Sequence, residues 1–330
     1  FMSHALVIID AHSSCYRLFY AIPPLTTPSG FPTNTVMGFT NLIEKIREEQ
    51  GPDYFAVAFD STAPTFREKK YAEYKAGRKA MPEDLVRQMP VIKTILDCYR
   101  IPVLSADGYE ADDIIAAVAE KASKKGVDVN IVTSDKDLRQ LLNKHVTITD
   151  PRTKKRITET DFCKDFEFPP EQFVEYQALL GDSSDNIPGI KGVGDKTGRK
   201  LISEYGTLEN IYENLDQIKG RWRKLLEADR ESAFMSRELA LLEKDIPLDI
   251  SLDTLKARSP RKEELADKLR EFGLRSLVKK YAQEDSPSDD PVFTLVETAG
   301  DVSRELGRIS ELKCASIAFQ GREFPGPDSV

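Results

Sequence analysis

At 330 residues, 40% of them hydrophobic and 31% charged, the chain is long enough to bury the cores of two domains and a fragment of a third. Its apolar runs are strand-sized and stop at acids, which argues against a membrane span, and the opening residues lack the basic start and apolar stretch of a secretory signal. Cys15, Cys98, Cys163 and Cys314 form no Cys-x-x-Cys pair and meet only three histidines, so structural zinc and a disulfide framework are disfavoured and a reducing, cytoplasmic compartment is expected. A net charge of −8 would disfavour a nucleic-acid partner if it were evenly spread.

Ala5-Leu-Val-Ile-Ile reads as a buried strand ending on Asp10. A short helix to about Tyr20 and a Pro- and Gly-rich loop over 23–32 follow. A helix over 35–49 then carries Val36, Phe39, Leu42, Ile43 and Ile46 at helical spacing until Gly51-Pro52 stops it. Phe55-Ala-Val-Ala-Phe ends on Asp60, and further strands are expected near 101–104 and 129–133, the last leading to Asp135. This rhythm predicts an α/β fold with a mostly parallel central sheet and helices on both faces, whose functional crevice lies beyond the carboxyl ends of the strands.

Residues 63–81 interrupt the rhythm with Arg67, Lys69, Lys70, Lys75, Arg78 and Lys79 against Glu68 and Glu73. Tyr71, Tyr74, Lys75 and Arg78 recur at helical steps, so a helix would put them on one side. A solvated charged helix is the bland alternative. The run follows the Asp60 strand end directly, however, and bases interleaved with aromatics suit a single strand of nucleic acid. A helical region over 82–99, bent at Pro90, leads to Gly108-Tyr-Glu-Ala-Asp-Asp at the start of a helix over 114–124. One or two acids there would cap the helix. Glu110, Asp112 and Asp113 together repel one another unless a cation is bound, and on the motif alone the cap and the metal site are equally good readings. Asp135 and Asp137 stand two apart, and Asp182 and Asp185 three apart, so all these acids share an address with Asp10 and Asp60.

Residues 147–157 read as strand, turn, strand, and the pattern is helical from Thr158. Gly189, Gly192 and Gly194 allow a tight turn whose N–H groups face a phosphate together with the start of a helix near Asp195. A dinucleotide loop would need a strand before it, where 173–180 reads as helix, so a helix-hairpin-helix is expected. Lys191, Lys196, Arg199 and Lys200 make it basic, and Lys219, Arg221, Arg223 and Lys224 add a patch around Trp222. Helices over 232–243 and 261–281 precede an acidic, Pro- and Ser-containing linker. The expected organisation is a catalytic domain over 3–157 with an arch at 63–81, a helical DNA-binding domain over 158–282, a linker over 283–291 and a domain fragment over 292–330.

Val7-Ile-Ile-Asp, Ala58-Phe-Asp, Tyr74-Lys-Ala-Gly-Arg, Gly108-Tyr-Glu-Ala-Asp-Asp, Thr133-Ser-Asp-Lys-Asp, Gly181-Asp-Ser-Ser-Asp-Asn-Ile-Pro-Gly and the hairpin occur in one order. Together they resemble the 5′-nuclease, or flap endonuclease, family, most closely the N-terminal 5′→3′ exonuclease domain of bacterial DNA polymerase I, over residues 4–282. The resemblance implies a PIN-like 5′-nuclease fold and two Mg2+ ions, with Mn2+ able to substitute. Asp10, Asp60, Glu110, Asp112 and Asp113 would take one ion, and Asp135, Asp137, Asp182 and Asp185 the other. It implies Lys75 and Arg78 on the scissile phosphate, Tyr16 stacked on a terminal base with Arg17 beside it, and Arg67, Tyr71 and Tyr74 on DNA. The hairpin would hold duplex DNA with K+ at its carbonyls.

The expected partner is DNA with a 5′ flap or a 5′ end at a junction, cut by a monomer whose polymerase is covalently linked or separate, during primer removal and repair. Ala11 and Gly198 depart from the usual Gly and Ala without removing a ligand. Residues 292–330 resemble the opening of a 3′→5′ exonuclease-like domain but lack its Asp-x-Glu pair, so no proofreading is expected. A ribonuclease on a related fold and a non-catalytic junction binder remain as alternatives. A phosphatase using Asp10 would be expected to carry Asp where His12 stands.

Overall fold

Six strands make one sheet in the order β3-β2-β1-β4-β5-β6 in the computed structural model, which describes residues 5–281. They are β1 (Ala5–Asp10), β2 (Tyr54–Ala58), β3 (Val103–Leu104), β4 (Asp128–Val132), β5 (Val146–Thr149) and β6 (Arg156–Ile157). Neighbours from β3 to β5 pair in parallel, and β6 closes the edge antiparallel to β5. The linker and the fragment expected over 283–330 lie outside the described residues.

One of the two central strands, β1, is apolar from Ala5 to Ile9 because both of its faces are covered. Val7 and Ile9 face a core shared with α2 (Asn34–Gln50) and α4 (Glu83–Cys98), while Leu6 and Ile8 face one shared with α5 (Ala111–Ser123). The second core continues without a break into α6 (Glu159–Phe166), α7 (Phe173–Leu180), α8 (Asp195–Tyr205), α9 (Leu208–Glu213), α10 (Arg221–Ala228) and α11 (Arg230–Ala240). Helices α12 (Lys262–Glu271) and α13 (Arg275–Tyr281) return to the opposite face, where Leu265, Leu269 and Tyr281 join the α2/α4 core. Residues 158–281 therefore divide between the two faces of the sheet. Among the described residues no helix is long and apolar enough to cross a membrane.

Helix α1 (Ala11–Ala21), α2, α4 with Pro90 inside it, and α7 follow the sequence pattern closely. Two expectations are corrected. The run over 261–281 breaks at Gly273, whose φ of 73° no α-helix accommodates. The stretch 63–81 contains only the five-residue α3 (Phe66–Lys70), after which Tyr71 is extended and Lys75 adopts φ 57°, so Tyr71, Tyr74, Lys75 and Arg78 do not share a helical face.

The loop over 181–189, which carries Asp182 and Asp185, is pinched shut at its base. Asp182 and Ile187 exchange backbone hydrogen bonds of 2.8 Å, and Gly181 and Gly189 stand back to back at φ 71° and 62°. A Cβ on Gly189 would lie 2.3 Å from the Gly181 nitrogen. Gly189→Ala is expected to destabilise the fold by roughly 2–4 kcal/mol, read from the midpoint of denaturant unfolding.

Candidate active site

The acids sit where the strands end. Asp10 caps α1, its Oδ1 accepting the Ser13 N–H at 3.0 Å and its Oδ2 the Thr133 hydroxyl at 2.9 Å. The same hydroxyl accepts the Asp135 N–H at 2.9 Å, so one buried threonine holds the ends of β1 and β4 together. Asp60, just beyond β2, accepts the first N–H of α5, that of Ala111, at 2.7 Å. Its own N–H donates to Nδ1 of His12 at 3.2 Å. Asp135 accepts the Asp137 N–H at 2.9 Å, and Asp137 accepts the Gln177 side-chain amide at 2.6 Å, linking the β4 loop to α7.

Crowding of like charges shows in the protonation of these groups. Burial, then Asp135 and Asp60, push the Asp10 carboxyl up to about 7. Burial, then Asp135, Asp182 and Asp185, push Asp137 up to about 7 as well. Asp112 is also driven well above the carboxylate range, by burial and then by Asp135, Asp10 and Glu110.

Basic side chains meet part of this charge. Lys75 Nζ lies 2.5 Å from Glu110 and 3.8 Å from Asp185, Arg78 pairs with Asp185, and Lys136 lies 2.8 Å from Asp182. Burial works against the Lys75 ammonium, but Glu110 and Asp185 more than offset it and hold its pKa above the usual lysine value. For Asp182 burial is likewise outweighed, by Lys136 and Ser184, and its carboxyl is held low. Asp10, Asp112, Asp135 and Asp137 have no ion-pair partner among the described residues.

An all-oxygen donor set of uncompensated acids fits a hard divalent cation. Among the described residues no three acid, histidine or cysteine side chains are close enough to ligate one ion together.

Several expected roles are corrected. Asp113 is fully buried and its lone pairs are taken. Oδ1 accepts Arg67 Nη2 at 2.7 Å and the Glu243 N–H at 2.9 Å, and Oδ2 accepts Arg67 Nη1 at 2.7 Å and the Glu110 N–H at 3.1 Å. It is the internal partner of an arginine and the closing acid of a capping box, with nothing left for a metal ion. Arg67, only 1% exposed, spends its remaining donors on the Leu239 and Leu241 carbonyls at 2.8 and 2.7 Å and on Glu110 Oε2 at 3.4 Å, so it is no DNA contact. Tyr74, 5% exposed, directs its hydroxyl to Glu110 and Asp185 at 3.1 and 3.3 Å and has no face free to stack on a base. Tyr71 is half-buried, with its hydroxyl on Glu73 at 3.0 Å.

Gly189 has no N–H free for phosphate, because Ser236 accepts it at 2.9 Å and Ser232 donates to its carbonyl at 2.7 Å. The Lys191 N–H is engaged by Asp229 at 2.9 Å. Arg199 is held by Asp195 at 2.7 Å and lies over the Phe166 ring, 4.1 Å from its centroid. Gly192, Gly194 and the Lys191, Lys196 and Lys200 side chains are exposed at the start of α8. Tyr16 is half-buried within the electrostatic reach of Asp60 and Arg78, and Arg17 pairs with Asp150 at 3.4 Å. Sequence reasoning missed Thr133, Lys136 and Gln177, each an ordinary residue type whose role depends on contact across the fold.

Two family models match the chain: the 5′-3′ exonuclease N-terminal resolvase-like domain over residues 5–167, and the 5′-3′ exonuclease C-terminal SAM fold over 168–263. The 5′-3′ exonuclease of Aquifex aeolicus is 41% identical over 83% of this chain and 94% of its own length. DNA polymerase I of Caldicellulosiruptor bescii is 39% identical over 94% of this chain, which spans only 37% of that relative. Among solved structures, the T5 D15 protein co-crystallised with metal ions matches with a TM-score of 0.60 at 21% identity, covering 84% of this chain and 97% of that one. The catalytic core of Rad2 in complex with a DNA substrate matches at 0.58 and 18% identity, covering 85% and 92%. At these identities the likeness is one of fold, a mostly parallel resolvase-like sheet with a SAM-like helical part.

Two outcomes follow from the charge arrangement. Arg67→Ala leaves Asp113 buried and unpaired and is expected to destabilise the protein by about 3–5 kcal/mol in chemical unfolding. The raised Asp10 and Asp137 carboxyls mean that the folded state binds more protons than the unfolded one between about pH 4 and 7. Their contribution to stability is therefore present at low pH and lost as pH rises through about 7. In EDTA, Asp10→Asn is expected to raise Tm by about 2 °C or more at pH 8 and by clearly less at pH 5, measured by thermal melts.

Proposed function

The chain belongs to the 5′-3′ exonuclease family, and on that premise we propose that it is a divalent-metal-dependent, structure-specific 5′ nuclease. It hydrolyses DNA phosphodiesters at a 5′ end or flap, as the 5′-nuclease part of a DNA polymerase I-type protein acting in primer removal and repair. The observation that supports this reading most directly is the crowding of Asp10, Asp112, Asp135 and Asp137 at the strand ends with no basic group in ion-pair contact, flanked by Lys75 and Arg78 on Glu110 and Asp185.

Asp10, Asp60, Glu110 and Asp112 would surround one Mg2+, and Asp135, Asp137, Asp182 and Asp185 a second, one or two acids binding each ion directly and the others through its waters, with Mn2+ able to replace either. When bound, such ions supply an activated water for in-line attack and stabilise the leaving 3′-oxygen. Thr133 and the α5 N-terminus fix the acids before substrate arrives. Lys75 and Arg78 would exchange their carboxylate partners for oxygens of the scissile phosphate and meet the charge that develops there. Tyr16, at the edge of the acid cluster, would stack on a terminal base.

The exposed turn at Gly192 and Gly194, with Lys191, Lys196 and Lys200, would hold the duplex through its backbone, with K+ at the turn carbonyls. Such contacts read structure rather than sequence. The protein would act as a monomer in the cytoplasm, with the polymerase linked or separate.

The deciding experiment is cleavage of a 5′-flap DNA labelled at both ends, with Mg2+ and with EDTA, beside a blunt duplex and an RNA flap. Cutting near the junction only with metal, and loss of at least roughly 100-fold in kcat in Asp135→Asn with duplex binding retained, are expected. Binding without cutting in Mg2+ or Mn2+ would leave a junction-binding module instead.

A further inference from the structure

The turn over 71–78 and the loop over 181–189 meet beside the acid cluster through their main chains. The Lys75 N–H donates to the Asp185 carbonyl at 2.9 Å, and the Asn186 side-chain amide donates to the Glu73 carbonyl at 2.7 Å. Arg78 Nε reaches the Ser184 carbonyl at 3.5 Å. Lys75 and Asn186 both adopt φ 57° at this junction, a left-handed conformation that Asn tolerates far better than most residues. The loop is also anchored by the Asp182–Ile187 pair within it, by Lys136 on Asp182, by the Tyr74 hydroxyl on Asp185, by the Gly181 N–H on the Gln177 carbonyl of α7, and by Ser232 and Ser236 of α11 on Gly189.

These contacts differ in what can displace them. The pairs of Lys75 with Glu110 and of Arg78 with Asp185 join groups that a phosphate or a divalent cation would compete for. The Asn186 bond joins a neutral amide to a neutral carbonyl, for which neither competes. It can persist when every charged partner in the crevice has changed.

We propose that Asn186 is a positioning residue that holds the 71–78 turn, and with it Lys75 and Arg78, in register with Asp182 and Asp185 while the charged contacts exchange. The inference rests on the nuclease reading above. Asn186 is exposed, so its replacement does not open the core.

The test compares Asn186→Gly, which keeps the left-handed backbone and removes only the amide, with Asn186→Asp, which sets an acceptor against the Glu73 carbonyl. Flap cleavage, product-duplex affinity, Tm and amide exchange over 71–78 are measured for both and for the wild type. The expected result is a kcat lowered about three- to tenfold in the Gly variant and further in the Asp variant. Duplex affinity and Tm should stay near wild type, and exchange over 71–78 should be faster. Wild-type kcat and exchange in the Gly variant, or a lowered Tm with unchanged kcat, would overturn the proposal. A wild-type protein that cuts no flap would instead overturn the nuclease reading, and the exchange comparison would still show whether the amide holds the turn.

Discussion

Mutual repulsion among carboxylates packed at the ends of parallel strands is the constraint to which the rest of the structure answers. Burial and neighbouring charge drive Asp10 and Asp137 toward neutral pKa values, so the fold holds a conflict that its core does not relieve. Such an arrangement gains nothing from hydrophobic packing, and it persists only because the surrounding scaffold is over-determined. The two faces of the sheet, each covered by its own core, provide that scaffold.

Charge compensation is uneven across the cluster. Arg67 and Asp113 form a sealed pair whose donors and acceptors are all used, tying α3, the start of α5 and the segment after α11 to one another. Lys75, Arg78 and Lys136 sit at the accessible edge and neutralise Glu110, Asp185 and Asp182 in pairs that another ion can replace. Asp10, Asp112, Asp135 and Asp137 have no such pair and hold the charge left over. The sealed pair fixes geometry, the edge pairs join groups that other ions would compete for, and the acids without an ion pair carry the excess negative charge.

Small polar groups hold this uneven charge in a fixed shape. The Thr133 hydroxyl stands between Asp10 and Asp135, Gln177 reaches from α7 to Asp137, and the Ala111 N–H brings the positive end of α5 onto Asp60. Two serines on α11 hold the glycine that closes the 181–189 loop. Each joins elements far apart in the chain, so the acid cluster depends on contacts between the sheet and the helical part.

The sequence alone determined the strands, the parallel sheet and the acids at its carboxyl edge. A buried strand is a local apolar run, and an acid that ends it is readable in place, as at Asp10, Asp60 and Asp135. It also determined α2 and α7, whose periodicity is local. It did not determine which acids are free. Asp112 and Asp113 are adjacent acids in the first turn of α5, and the arrival of Arg67 from another element makes Asp113 an internal ion-pair partner and leaves Asp112 without one. Nor did it show that Tyr74 turns inward or that the basic stretch abandons its helix after Lys70, since helical spacing states what a helix would align and not whether one forms. Partnership across the fold depends on distances that no residue spacing encodes, and for buried charge the partner decides the role.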